Sequence, residues 1–80
     1  MNGKSMTLNQ LSVGQKAKIS ALNSTGNLRR RMLDLGITQG TTVEVLHKSP
    51  SGDPTAYSVR GTVIALRNED AEKIIMTAVM

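Results

Sequence analysis

Six of the seven glycines, Gly14, Gly26, Gly36, Gly40, Gly52 and Gly61, cut this chain of 80 residues into apolar-patterned segments of a few to about a dozen residues. Glycine accepts the positive φ that tight reversals need, so each one marks a place where the chain can turn. Segments that short suit strands, and short strands between evenly spaced turns point to a small β-barrel. The length allows one domain, because a chain of this size buries only about 60% of its unfolded surface.

The segments support that reading. From Gln15 to Leu22, Ala17, Ile19 and Ala21 alternate with Lys16, Lys18 and Ser20, a period of two that turns small apolar groups inward and lysines outward. Thr41 to Lys48 repeats the pattern with Val43 and Val45 about Glu44 and is rich in β-branched residues. Ser49-Pro50-Ser51-Gly52-Asp53-Pro54 is a reversal, since its prolines cannot donate to a ladder. Thr55 to Arg60 and Thr62 to Arg67 read as third and fourth strands with only Gly61 between them, which predicts a sharp bend or bulge in place of a full hairpin loop. Asn68 is placed to cap a short helical turn over about 69–73, with Glu69 and Asp70 at its positive end, and Ile74 to Val79 returns as the fifth strand.

One segment has a different period. Leu28, Met32 and Leu35 recur at i, i+4 and i+7 and fall on a stripe about 60° wide, which predicts a helix over about 27–35, capped by Asn27 or Thr25. Gly36 then takes the left-handed position after the helix and Ile37 packs back on Met32, a Schellman stop. Leu33 lies about 140° from Leu28, outside the stripe and beside Arg29 and Arg30. Arg30 and Asp34, four apart, are placed to pair across the surface.

Composition narrows the chemistry. Without cysteine there are no disulfides, thiolate nucleophiles or thiolate ligands, and a reducing compartment fits. No stretch is long and apolar enough for a membrane span, and Met1-Asn2-Gly3-Lys4-Ser5 lacks the apolar run of a signal peptide, so a cytoplasmic protein is expected. The only histidine is His47 and the acids are scattered, so no acid–base constellation forms and no catalytic residue is assigned. Ferrous iron wants several imidazole or carboxylate ligands; His47 alone falls short and contributes to a metal site only if another molecule supplies the rest. Neither a metal site nor a cofactor is assigned. Gly36 to Thr42 has glycines four apart but no lysine after the second, so it is a turn and not a phosphate loop.

A net charge of +4, with Arg29-Arg30-Arg31 in a row, makes RNA or the ribosome the rival partner. Single-strand binding uses stacked aromatic platforms, however, and the only aromatic residue is Tyr57.

The run Arg29-Arg30-Arg31-Met32-Leu33-Asp34-Leu35-Gly36-Ile37, then Gly40-Thr41-Thr42-Val43-Glu44-Val45-Leu46, Ser49-Pro50 with Gly52-Asp53-Pro54, and Val59 to Arg67 ending in Asp70-Ala71, resembles the FeoA family, small accessory proteins of bacterial ferrous-iron uptake. The resemblance spans residues 7–80, read as one domain, with residues 1–6 as a flexible N-terminal segment. It implies a mainly β fold, an SH3-like barrel of about five strands with the short helix inserted after the first. It also implies a partner, the cytoplasmic GTPase region of the FeoB transporter, and recruitment to the inner membrane through that partner.

Taken with the poverty in metal ligands, this makes the chain a non-enzymatic adaptor that acts by contact, with no small-molecule substrate. The expected contact surface is the outward helix face, Arg29, Arg30 and Leu33, together with the hairpin tip at Pro50, Gly52, Asp53 and Pro54. In the other arrangement the wheel leaves open, Leu33 folds against the barrel rim and the arginines are only solvated. Weak self-association is a further expectation, because a short barrel has strand edges and the chain ends on an apolar strand, Ile74 to Met80.

Overall fold

The computed structural model describes residues 5–78. Within them the chain runs through β1 (Ser5–Thr7), a 3₁₀ turn (Leu8–Gln10), β2 (Lys16–Leu22), α1 (Gly26–Asp34), β3 (Thr42–Lys48), β4 (Thr55–Val59), β5 (Thr62–Leu66), α2 (Asn68–Ala71) and β6 (Ile74–Ala78). The strands form one six-stranded sheet in the order β1-β6-β2-β3-β4-β5, with every neighbouring pair antiparallel. The fold is mainly β, as the glycine spacing and alternation predict.

Alternation builds the core. Ala17 and Ile19 of β2, Val43 and Val45 of β3, Tyr57 and Val59 of β4, Ile64 and Leu66 of β5, and Ile74 and Met76 of β6 are all buried. Leu8 and Leu11, from the 3₁₀ turn and the residue that ends it, join the same core, as do Met32 of α1 and Ile37 beyond it.

Several sequence expectations need correction. There are six strands and not five, because Ser5–Thr7 pairs with β6 through Ser5↔Thr77, Met6↔Met76 and Thr7↔Ile75. A strand of three residues is too short to show an alternation, so pairing alone reveals it. Of the segment expected to be loose, residues 1–4 lie outside the described residues, while Ser5 and Met6 belong to β1.

Val59 pairs directly with Thr62, and both intervening residues have positive φ, 53° at Arg60 and 82° at Gly61. The expected bend at Gly61 is therefore a two-residue type I′ hairpin, whose backbone twist matches that of the strands it joins. The terminal strand β6 lies between β1 and β2, so it is not a sheet edge; Val79 and Met80 lie outside the described residues.

Helix α1 covers Gly26–Asp34 with Thr25 at the N-cap, one residue earlier than periodicity suggests. Its end follows the predicted stop: the Ile37 N–H donates to the Met32 carbonyl at 2.9 Å and the Gly36 N–H to the Leu33 carbonyl at 3.0 Å. Leu35 occupies the C-cap and is 37% exposed, so it leaves the inward stripe on which the wheel placed it. Arg30 and Asp34 form no ion pair; among the described residues the pair within reach is Arg67–Glu69, at 3.9 Å on the surface. A same-helix pair in the less favourable basic-before-acidic order gains too little to fix two long side chains.

Candidate functional site: a groove between the helix and a strand bulge

Strand β2 slips register against β6. Ile19 pairs with Met76 and Ala21 with the next residue, Ile75, so Ser20 is an extra residue on the β2 side. A bulge reverses the facing of everything beyond it. Ala21, which alternation placed inward, is exposed, while Leu22 is half-buried. Nothing in the unbroken run Ala17, Ile19, Ala21 announces this change.

The reoriented stretch forms one wall of a groove of about 340 Å³, lined by Ser20, Ala21, Leu22, Arg29, Leu33 and Gln39. Helix α1 supplies the opposite wall through Arg29 and Leu33, which share a face because they are four residues apart. Leu33 is 40% exposed, so it projects into the groove mouth and is not folded away into the core. Arg29 reaches across to β2, where its Nη1 donates to the Leu22 carbonyl at 3.3 Å.

Hydrogen bonds tie the surrounding frame together. The Gly40 N–H donates to the Ile19 carbonyl at 2.8 Å and the Ile19 N–H to the Thr41 carbonyl at 2.9 Å, which ties the loop carrying Gln39 to β2 just before the bulge. Beneath the helix, the Ser24 hydroxyl, itself buried, donates to Met32 Sδ at 3.3 Å. The groove thus presents aliphatic surface, a guanidinium, an amide and a hydroxyl, a chemistry of binding. It contains no carboxylate or imidazole to serve as a general base.

Of the residues singled out from sequence, Arg29 and Leu33 meet in this groove. Arg30 is exposed on α1 outside the lining. Pro50, Gly52, Asp53 and Pro54 form the tip between β3 and β4, at the far end of β3 from the groove. The length of β3 separates the two parts by about 20 Å, so they do not form one patch. Ser20, Ala21, Leu22 and Gln39 were not selected from sequence, because only the bulge and the loop tether bring them to α1.

The tip has an internal function. Asp53 Oδ1 accepts a hydrogen bond from the Asn68 N–H at 3.0 Å, and Asn68 Nδ2 donates to the Gly52 carbonyl at 3.3 Å. Arg67 occupies the N-cap of α2 without a side-chain bond, so Asn68 is its first helical residue and not its cap. A carboxylate from another loop fills the capping role. Asp53→Ala should therefore cost about 1 kcal/mol, a typical cap loss, and loosen both the tip and α2, which a denaturant midpoint and amide exchange at Asn68 would report.

His47 is exposed on β3 beyond a second register shift, between Val45 and His47, and stands opposite Ala56. Among the described residues no three of His, Asp and Glu converge to hold a metal ion. Tyr57 is 1% exposed. Burial pushes its hydroxyl above the usual value of 10.0, a hydrogen bond with the Thr55 side chain works the other way, and the Asp53 charge adds to the rise.

A curled antiparallel sheet with a short helix after its second strand defines the class: a small SH3-like β-barrel. The FeoA domain family model matches residues 6–78, and the chain belongs to the FeoA family, a family of ferrous iron transport. It is 36% identical over 69 residues to an Fe(2+) transport protein A/Fe(2+) transporter FeoB fusion protein of Porphyromonas gingivalis. That match covers 86% of this chain and 8% of the fusion protein. Among solved structures, the FeoA protein of Chlorobium tepidum superposes with a TM-score of 0.89 at 31% identity, covering 94% of this chain and 71% of that one. Stenotrophomonas maltophilia FeoA complexed with zinc, described as a prokaryotic SH3 domain protein, gives 0.80 at 28% identity over 89% of this chain and 88% of the other. No helix among the described residues is long and apolar enough to cross a membrane.

Proposed function

We propose that this chain is a non-enzymatic accessory protein of ferrous-iron uptake that binds the cytoplasmic GTPase region of a FeoB-type transporter, with the α1/β2 groove as its contact site. The observation that carries the reading is Leu33, an exposed leucine at the mouth of a groove whose arginine donates to the Leu22 carbonyl. An exposed apolar side chain beside an arginine offers apolar surface for the centre of an interface and, in the arginine, a residue type enriched there.

The Porphyromonas gingivalis relative joins an Fe(2+) transport protein A to FeoB in one chain. Covalent joining raises the effective concentration of two modules that work in contact. The Stenotrophomonas maltophilia protein is described as a candidate ferrous iron transport activating factor. Contact with a cytoplasmic region places this chain in the cytoplasm, at the inner membrane when bound.

Leu33→Glu should weaken binding to the purified GTPase region at least about tenfold, or about 1.4 kcal/mol, while the far-UV circular dichroism of the barrel stays unchanged. Leu33→Ala, which adds no charge, should weaken it less and serves as the control for folding. Unchanged affinity in both variants would remove the groove from the contact. RNA binding is the outcome that would reverse the assignment: tight association falling steeply with salt, with no affinity for the transporter region. The burial of Tyr57 weighs against it, because the chain's only aromatic ring is unavailable for stacking.

A further inference from the structure

We infer that β5 is a self-pairing edge, through which two copies of this chain associate antiparallel about Ile64. This surface is independent of the α1/β2 groove. The sheet ends in β1 on one side and β5 on the other. β1 is only three residues long, whereas β5 runs for five, Thr62-Val63-Ile64-Ala65-Leu66, without a charge or a proline. Native edges of that length are ordinarily blunted by lysine, proline or a bulge, and this one has none of them.

The hairpin sets which backbone groups face outward. In a two-residue hairpin the flanking pair, here Val59 and Thr62, exchanges hydrogen bonds, as do alternate pairs beyond it, Tyr57 with Ile64 and Thr55 with Leu66. The N–H and C=O groups of Val63 and Ala65 therefore point away from β4, and among the described residues no other strand or turn takes them. Val63 is 64% exposed, the most exposed large hydrophobic residue among the described residues, and Ala65 is exposed on the same face.

A second copy fits this edge in one register. With a two-fold axis at Ile64, Val63 lies opposite Ala65 of the second copy and Ala65 opposite Val63 of the second copy. Both are hydrogen-bonded pairs, and their side chains meet on the exposed face. Extending the register sets Arg67 opposite Gly61 of the second copy, so no like charges face one another. Five residues of edge cover far less than the roughly 1,000 Å² of a stable interface, so the dimer is weak, in the roughly millimolar range.

The test is a dilution series of the full chain by amide NMR, from about 0.05 to 5 mM, a span chosen to bracket that range. The Val63 and Ala65 amides should shift with concentration, and Ala65→Pro, which removes only an outward N–H, should abolish the effect. The chain has no cysteine, so Val63→Cys mixed with Ala65→Cys provides a second readout should the proline variant unfold. A hydrogen-bonded pair stands about 5.5 Å apart at Cα, within disulfide reach, and the mixture should cross-link several-fold more than either variant alone. Concentration-independent spectra would overturn the inference, as would shifts centred on β1 or α1, or equal cross-linking by each variant alone. Shifts at β5 that need the transporter's GTPase region, and are absent from the chain alone, would overturn it too.

Discussion

Tyr57→Ala is expected to remove most of the stability of this barrel. The ring sits in the middle of β4, paired with Val45 of β3 and Ile64 of β5, and is 1% exposed. It is the only aromatic residue, so the neighbours that would close on its space are the smaller Val45, Val59 and Ile64. Truncating a buried aromatic residue costs about 3–5 kcal/mol once the residual cavity is included. A chain of 80 residues has a total of about 4–12 kcal/mol at typical values per residue. A urea titration should show the midpoint collapse, with much of the population unfolded before denaturant is added. A loss below about 1 kcal/mol would mean the core closes on the space, contrary to tight packing.

Tyr57→Phe isolates the hydroxyl. Because the folded chain holds that proton to a higher pH than the unfolded chain does, its stabilising contribution is complete below about pH 10 and is lost as pH rises through the folded value. Wild type should therefore lose more stability than Tyr57→Phe between about pH 9 and pH 11. Identical slopes would show that the hydroxyl is hydrated in the folded state.

Gly36→Val is expected to give the second large loss. Gly36 has φ of +90°, which ends α1 and sends Ile37 back into the core. A β-branched residue there is strained by about 1–3 kcal/mol. Its Cβ would also stand 3.3 Å from Cδ of Arg60, on the neighbouring hairpin turn. Arg60 is exposed and can swing aside, so backbone strain is the larger effect. Gly36→Val combined with Arg60→Ala should recover only a few tenths of a kcal/mol of the loss, as expected for a surface substitution. Full recovery in the double variant would reverse that order. Because α1 carries Leu33, Gly36→Val should also weaken binding to the transporter region.

How far this was legible from sequence depends on the length of the signal. Five strands and the helix stop carry periodic or turn signatures several residues long, and the core residues Ile19, Val43, Val45 and Met32 could be placed from pattern alone. β1 is three residues long and is specified by pairing with β6, which no local window contains. The hairpin at Arg60-Gly61 escaped because Arg is an uncommon first residue in a type I′ turn, where Asn or Asp is usual.

In the site, Leu33 and Arg29 stood out as an apolar residue beside a basic one on an amphipathic helix. Their opposite wall did not, because it depends on the one-residue slip at Ser20, and a slip leaves no mark on composition or spacing. Pro50, Gly52, Asp53 and Pro54 stood out as turn formers, and the structure explains Asp53 internally, through the N–H of Asn68.

The central issue is whether this protein serves iron uptake by touching a partner or by holding the ion. Anaerobic gel filtration of the full chain with the transporter's GTPase region and ferrous iron puts both on one trace. Action by contact predicts that the chain elutes with the GTPase region with or without iron, and that the chain alone carries no stoichiometric iron. A chain that retains one ferrous ion per molecule by itself and passes the GTPase region unbound would contradict it.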